Sequence, residues 1–396
     1  IFSFYLIFVS LLSSRPLNSL ESTLLYFRFG LFVFAIKFLI DSNNDSLKYF
    51  TISLTITFLI GLIYGFIYYF ADLNKFFFQA SYSRIPLPFT DEFILGSFFA
   101  RLFPLFFCLY INFFSTKKIQ IYLLMLITIL SDILIYISGE RTAFALISLS
   151  IILLILSLKN FRMIRVITLI VSLIIITTVT IIDDNVKNRM VDQTIIGFYD
   201  NNSSVSNLEK TNNFSKNNND LDKIKNDANK NNNELIKNNN LNNEDKRSKF
   251  NFFTPVHTAI ATSALNIFYD NSNIFLGIGP KLFRYYCQEN KYRSMYGDNS
   301  CSTHPHHTYI QLIVETGLIG LVLIFTFFIY CSLKIFNHIY KLIIYKSSTL
   351  TTIEIGAYIA IILSLFPFIP SGSFFNNWLN CIYYLPLVFI LQIKNN

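Results

Sequence analysis

Charge is scarce in this sequence. Only 14% of its 396 residues are charged, against about a quarter in a soluble domain of this size. That shortfall excludes an ordinary water-soluble globule, which has a polar surface to cover. Internal repeats are missing too, as are paired apolar runs broken by Gly or Pro at matching positions. No ionisable residue except Asp132 is placed at mid-membrane depth, and Asp132 lies near one end of its run. Secondary transporters usually carry such features, so their absence argues against a polysaccharide or ion transporter. No Gly-Lys-Ser/Thr occurs either, which removes the phosphate-loop signature of a nucleotide enzyme. The net charge of +8 is no sign of nucleic acid. Its Lys and Arg gather in short loops between apolar runs, as topology signals do.

What is present is apolar: 53% hydrophobic residues, with 43 Phe and 23 Tyr. Runs of spanning length, about 17–25 residues, fall near 24–40, 50–70, 93–114, 119–138, 142–158, 163–182, 309–333, 350–369 and 376–393. Residues 1–14 add the remnant of another, in a chain expected to be truncated at its N-terminus. An all-α polytopic membrane protein with about ten transmembrane helices follows. The apolar stretch 335–346 carries His338, Lys341 and Lys346 and is expected to lie at the interface. Lys37 and Lys48, Lys117 and Lys118, Lys159 with Arg162 and Arg165, Lys334 to Lys346, and Lys394 fall on one side if every run spans. That side is cytoplasmic by the positive-inside rule. The large loop 183–305 then lies outside. Within it, residues 201–249 hold 18 Asn and too few apolar side chains to bury a core, so a disordered insert is expected there.

The densest polar cluster is Cys301-Ser-Thr-His304-Pro305-His306-His307-Thr-Tyr309-Ile-Gln311, just before the run 309–333. It holds three of the five His in the chain. Pro305 suits the first turn of a helix, and a helix N-terminus attracts anions and keeps imidazole neutral and basic. The plainer reading is a capped helix start with incidental His. Cys287 and Cys301 share the outside loop, where oxidation favours a disulfide; the alternative is zinc held by Cys287, Cys301, His304 and His306 or His307. Arg141, in Ser138-Gly-Glu-Arg141-Thr142-Ala, opens a run at its outer end. It suits a phosphate ligand or snorkels to the interface. The glycine-rich turn Gly277-Ile-Gly279-Pro280 is weak alone. In Glu315-Thr-Gly317-Leu-Ile-Gly320 the glycines are expected to allow close helix packing.

In order and spacing, four of these pieces resemble the O-antigen ligase/polymerase family of polytopic bacterial glycosyltransferases. They are Ser138 to Ala143, Asp270 to Phe283, His304 to Gln311, and Glu315 to Gly320, all within 138–333. The resemblance implies glycan transfer from an undecaprenyl-diphosphate carrier to an acceptor hydroxyl, at the periplasmic face of the bacterial inner membrane. The acceptor is lipid A–core or a growing glycan. No cofactor is implied and, in the ligases, no metal, with inversion at the sugar. It makes His306 the base and Arg141 the diphosphate contact. A second family arginine is replaced in its neighbourhood by His257, so Arg284 or Arg189 stands in for it. His307 occupies the place of an Asn. His304, Gln311 and Glu315 complete the expected substrate contacts. The chain divides into N-terminal helices (1–137), a ligase-like core (138–333) and C-terminal helices (334–396). Ligase and polymerase share this pocket and differ in acceptor. A non-catalytic scaffold is the remaining alternative, with membrane lipids as the common surroundings and no nucleic acid.

Overall fold

The computed structural model describes residues 2–43, 45–71, 84–86, 93–195, 255–271, 273–293 and 300–391. The insert expected over 201–249, and Lys394, lie outside the described residues. Long uninterrupted apolar segments satisfy every backbone group internally only as helices, and helices are what form. In chain order they are α1 (Phe2–Leu11), α2 (Pro16–Thr23), α3 (Arg28–Ser42), α4 (Ser46–Phe70), α5 (Leu95–Phe114), α6 (Lys118–Ile137), α7 (Arg141–Ser157), α8 (Arg162–Ile182) and α9 (Asp184–Lys187). Then follow α10 (Pro255–Asp270), α11 (Phe283–Tyr286), α12 (Thr308–Ile344), α13 (Thr352–Ser364) and α14 (Asn377–Leu391).

Among the described residues, six helical stretches are long and apolar enough to cross a membrane: Pro16–Ser42, Ser46–Phe70, Leu95–Phe114, Lys118–Ile137, Arg162–Ile182 and Thr308–Ile344. Four apolar helices are shorter: Phe2–Leu11, Arg141–Ser157, Thr352–Ser364 and Asn377–Leu391. Of the ten expected spans, six coincide with helices of crossing length and four with these shorter apolar helices. Large apolar side chains such as Phe34, Ile60, Ile63, Ile170 and Ile174 stand exposed on α3, α4 and α8, as a lipid-facing surface requires.

Helix α5 forms the centre and is buried almost continuously from Leu95 to Ile111. Phe58 of α4 stacks on Phe106 at 4.3 Å and meets Phe99 edge-on at 4.8 Å. On the opposite side α13 comes so close that a Cβ on Gly356 would lie 2.6 Å from the Pro104 carbonyl oxygen and from Cys108 Cβ.

Sequence reading placed Arg165 in a basic turn and found no mid-run ionisable residue besides Asp132. The structure corrects both points. Arg165 is buried in α8 and forks onto Asp132 with two bonds of 2.8 Å. Ser172 donates a third bond to Asp132, and the Phe103 ring lies 5.1 Å from the guanidinium. Arg101 is likewise buried, in α5. Breaking a buried pair costs about 3–5 kcal/mol, whereas replacing both members by apolar residues is often neutral. Asp132→Ala should therefore sharply lower thermal stability in detergent, while Asp132→Leu with Arg165→Met should recover most of it. A tolerated single variant beside a failed double would show that the pair does not hold α6 to α8.

The ends of the bundle differ in chemistry. At one end Arg162 donates to the Ile155 carbonyl (2.8 Å), His338 meets the Ser157 carbonyl (3.1 Å), and Lys159 and Lys346 line one cleft. Of the stretch 335–346, expected to be an interfacial segment, residues 335–344 continue α12, which is capped at Tyr345. Past a break at Gly317 the helix continues to Ile344, about 40 Å at 1.5 Å per residue, and still outreaches a hydrocarbon core of about 30 Å. At the other end Tyr69 donates to Asp183 (2.6 Å), Gly96 N and Ser97 N donate to Glu140 (2.6 and 3.1 Å), and Ile85 N donates to the Ser138 carbonyl (3.3 Å).

Gly317 breaks α12 near its start, with φ 65° and ψ −171°. The break is filled by residues 274–279. Ile278 N and Gly279 N donate to the carbonyls of Val314 and Glu315, and Leu318 N and Ile319 N donate to those of Ile274 and Phe275, at 3.0–3.3 Å. A Cβ on Gly317 would strike the Phe275 carbonyl oxygen at 2.2 Å. Two glycine motifs far apart in sequence thus form one backbone joint. Irregular backbone at this depth is tolerated only when so satisfied.

Candidate active site

The expectation that Pro305 begins a helix does not hold. Helix α12 starts at Thr308, and His307 is its N-cap. His307 Nδ1 accepts from Ile310 N (3.3 Å), and its Nε2 meets the Pro367 carbonyl (2.9 Å). An N-cap needs a side-chain acceptor for an orphan N–H, and an imidazole nitrogen supplies it here. Both ring nitrogens of His307 are thereby committed, in the Nε2–H tautomer.

His306 is held differently. Its φ of 55° places a non-glycine residue in the left-handed region, a conformation kept only where the surroundings impose it. Ser371 N donates to the His306 carbonyl (2.9 Å), and the Ser302 hydroxyl meets His306 Nε2 (3.0 Å). The His304 ring lies 4.1 Å away and the His257 ring 5.6 Å away, between centroids. His257 belongs to the first turn of α10, so a long-range contact completes the group. His257, Pro305, His306 and His307 line one narrow crevice with Ala261 and Ile310.

Below the histidines, Gln311 and Glu315 are buried. Glu315 accepts from Phe283 N (3.2 Å) and from Gln311 (2.9 Å), while Gln311 accepts from Phe374 N (2.8 Å) and donates to Ser373 (3.1 Å). These side chains tie the glycine loop, α12 and the 371–374 segment together beneath the crevice. Cys287 and Cys301 are joined as a disulfide, with Cα atoms 5.1 Å apart, which anchors the segment entering the histidine loop. With their sulfurs bonded to each other, the alternative that enlists both as zinc ligands falls away.

Beside the histidines the charge is positive. Arg141 donates to the Gln193 carbonyl (2.9 Å), and Arg189 donates to the Gly139 carbonyl (3.2 Å) and to the Gln193 side chain (3.1 Å). Arg84 stands within electrostatic range of both, and with Arg141 it also acts on His257. Burial, then the charges of Arg84 and Arg141, pull the Arg189 guanidinium down to about 10. Glu140 is the nearby acid, and it is occupied in capping α5. Arg84 was missed because its flanking sequence has neither motif nor periodicity; only the Ile85 N bond to Ser138 reveals its place. Arg284 acts on His304 and Lys281 instead.

Burial, then the charge of His306, lowers His257 to about 4 and His304 to about 3, and burial lowers His306 as well, from the ordinary 6.5. These imidazoles are neutral at pH 7. The sign for stability follows. Below about 6.5 the unfolded chain takes up protons that the folded cluster refuses, so stability is complete above 6.5 and is lost as pH falls toward 3. A melting-temperature series from pH 7.5 to 4 should decline, and His257→Gln should flatten part of the decline. An unchanged slope in that variant would remove His257 from the account.

The family model described as O-Antigen ligase matches residues 123–325, just over half of the chain. No curated protein matches the chain. The matched span contains Arg141, Arg189, His257, the histidine loop and the Gly277–Gly317 joint. This polytopic helical chain belongs to the O-antigen ligase family of membrane enzymes of polysaccharide biosynthesis.

Proposed function

We propose that the protein transfers a glycan from an undecaprenyl-diphosphate carrier to an acceptor hydroxyl at the periplasmic face of the bacterial inner membrane. The observation that carries this reading is the meeting of Arg84, Arg141 and Arg189 with His257 and His306 at the bundle end opposite the basic turns. A lipid-linked donor presents a diphosphate at membrane depth, and fixed cations there stabilise the charge its departure develops. In this reading all ten apolar helices cross or enter the bilayer, 138–333 is the catalytic core, and the loop 183–305 is periplasmic.

The step is a single displacement. His306 takes the proton of the acceptor hydroxyl. The hydroxyl oxygen bonds to the anomeric carbon as the bond from that carbon to the diphosphate oxygen breaks. The electron pair leaves with the diphosphate, which Arg141, Arg189 and Arg84 receive. Attack opposite the leaving group inverts the sugar and needs no metal. His257 and His304 line the approach, His307 fixes the loop as a cap, and Gln311 and Glu315 hold the frame. Arg284 flanks the acceptor side.

We assign the acceptor as lipid A–core, which makes the protein a ligase; extension of the repeat unit on the carrier is the alternative within the family. The glycolipid profile of a deletion strain decides. Carrier-linked polymer accumulating with bare core means ligase, single repeats on the core mean polymerase, and an unaltered profile overturns both. A Cys placed at Ser248 should be labelled from outside in intact spheroplasts; protection would reverse the topology.

A further inference from the structure

Some 20 Å along α10 from His257, counting 1.5 Å for each residue to Asp270, lies a second cavity. It measures about 360 Å³ and is lined by Asn266, Tyr269, Asp270, Lys291 and Tyr292, a size that falls within the range of small-molecule sites. Its lining shares no residue with the crevice of His257 and His306. Two elements build it. The last turn of α10 supplies Asn266, Tyr269 and Asp270. The 3-10 turn Asn290–Tyr292, just past the disulfide at Cys287, supplies the rest.

The floor is rigid. Tyr292 is buried and donates to Asp270 Oδ2 (2.6 Å), and Lys291 donates to the same oxygen (2.9 Å) while lying 4.4 Å over the Tyr292 ring. The rim is open. Tyr269 is 76% exposed; the Phe268 ring meets its ring edge-on at 5.6 Å, and the rest of it is uncovered by the described residues. Asn266 beside it is exposed too, with an amide that both donates and accepts.

Charge separates this cavity from the arginine end. Lys291 is already paired with Asp270 and lies 3.9 Å from Glu289, so there is no cationic excess to draw a phosphate. An exposed aromatic face with amide, carboxylate and ammonium groups around it suits a ligand of apolar ring faces and many hydroxyls. We propose that this cavity is a glycan subsite. It holds a sugar unit of the donor chain several units away from the bond being made, stacked on Tyr269 and hydrogen-bonded by Asn266 and Asp270. The assignment rests on the glycan-transfer reading above, yet it is tested without transfer.

The probe is the delipidated polysaccharide released by mild acid from cells that carry the protein. Its binding to the full-length protein in detergent is read by saturation-transfer NMR. Tyr269→Ala should weaken binding by about tenfold, as loss of an aromatic anchor does. Tyr269→Trp should restore it, and His306→Ala should leave it unchanged. Undiminished binding in Tyr269→Ala, or no binding by the parent protein, overturns the subsite. Intact binding in a protein that transfers nothing counts against the proposed function alone.

Discussion

Replacing His306 by Ala should reduce glycan transfer by about 10²–10⁴-fold, the usual contribution of a positioned general base, with protein level unchanged. The motivation is placement. His306 is the member of the loop whose backbone is forced into the left-handed region, with Ser302 and Ser371 fixing its ring and carbonyl. Its depressed affinity for protons, caused by burial, keeps the imidazole unprotonated at pH 7, so transfer should hold steady above about 6.5 and fall on the acid side. His304→Ala should be milder. His307 separates a base from a cap: His307→Asn should stay active, since an amide oxygen also accepts from Ile310 N, whereas His307→Ala should lower stability by about 1 kcal/mol as a lost N-cap does. Near-normal transfer by His306→Ala beside an inactive His307→Asn would move the base by one residue. Activity in all three alanine variants would end the acid–base account.

The helices were legible because lipid leaves a chain no alternative: long apolar runs such as 50–70 and 163–182 must satisfy their own backbone. Their lengths were less so, since Arg141–Ser157 and Thr352–Ser364 are apolar without reaching spanning length. The histidine loop and Arg141 stood out as polar residues with no place in a membrane. What could not be read was how distant segments meet. Arg84 joins the arginines through one backbone bond, and His257 reaches His306 across nearly fifty residues of chain. Gly277 was expected in an isolated turn and Gly317 in a helix–helix contact, yet the two meet in one joint: a Cβ on Gly277 would strike Gly317 N, and one on Gly317 would strike the Phe275–Leu276 backbone. Pro305 misled for a local reason. A proline pre-set for a helix start is equally at home in the turn before one, and the capping group lay two residues later in His307.

The arginine group carries the other large effect. Arg141→Ala should lower transfer by about 10²–10³-fold, comparable to removing one preorganised donor from a developing anion. Arg189→Ala and Arg84→Ala should each act in the same direction. Among the described residues, Glu140 is the acid near the three and it is committed to capping α5, an arrangement of cations that self-repulsion disfavours unless an anion is to be received there. Arg141 and Arg189 are held at fixed angles by the Gln193 and Gly139 carbonyls, so their forks are aimed before the donor arrives. Lysine at 141 should restore little, because a point charge cannot reproduce two parallel bonds to phosphate. Doubling the loss should not multiply it: Arg141→Ala with Arg189→Ala should fall only slightly below the worse single variant, since both act on one diphosphate. Strict multiplicativity would mean that they contact different groups. Arg84 tests the cluster as such, because no motif marks it. Full activity in Arg84→Ala, with Arg141→Ala inactive, would leave the diphosphate to Arg141 and Arg189 and reduce Arg84 to a neighbour of Glu140.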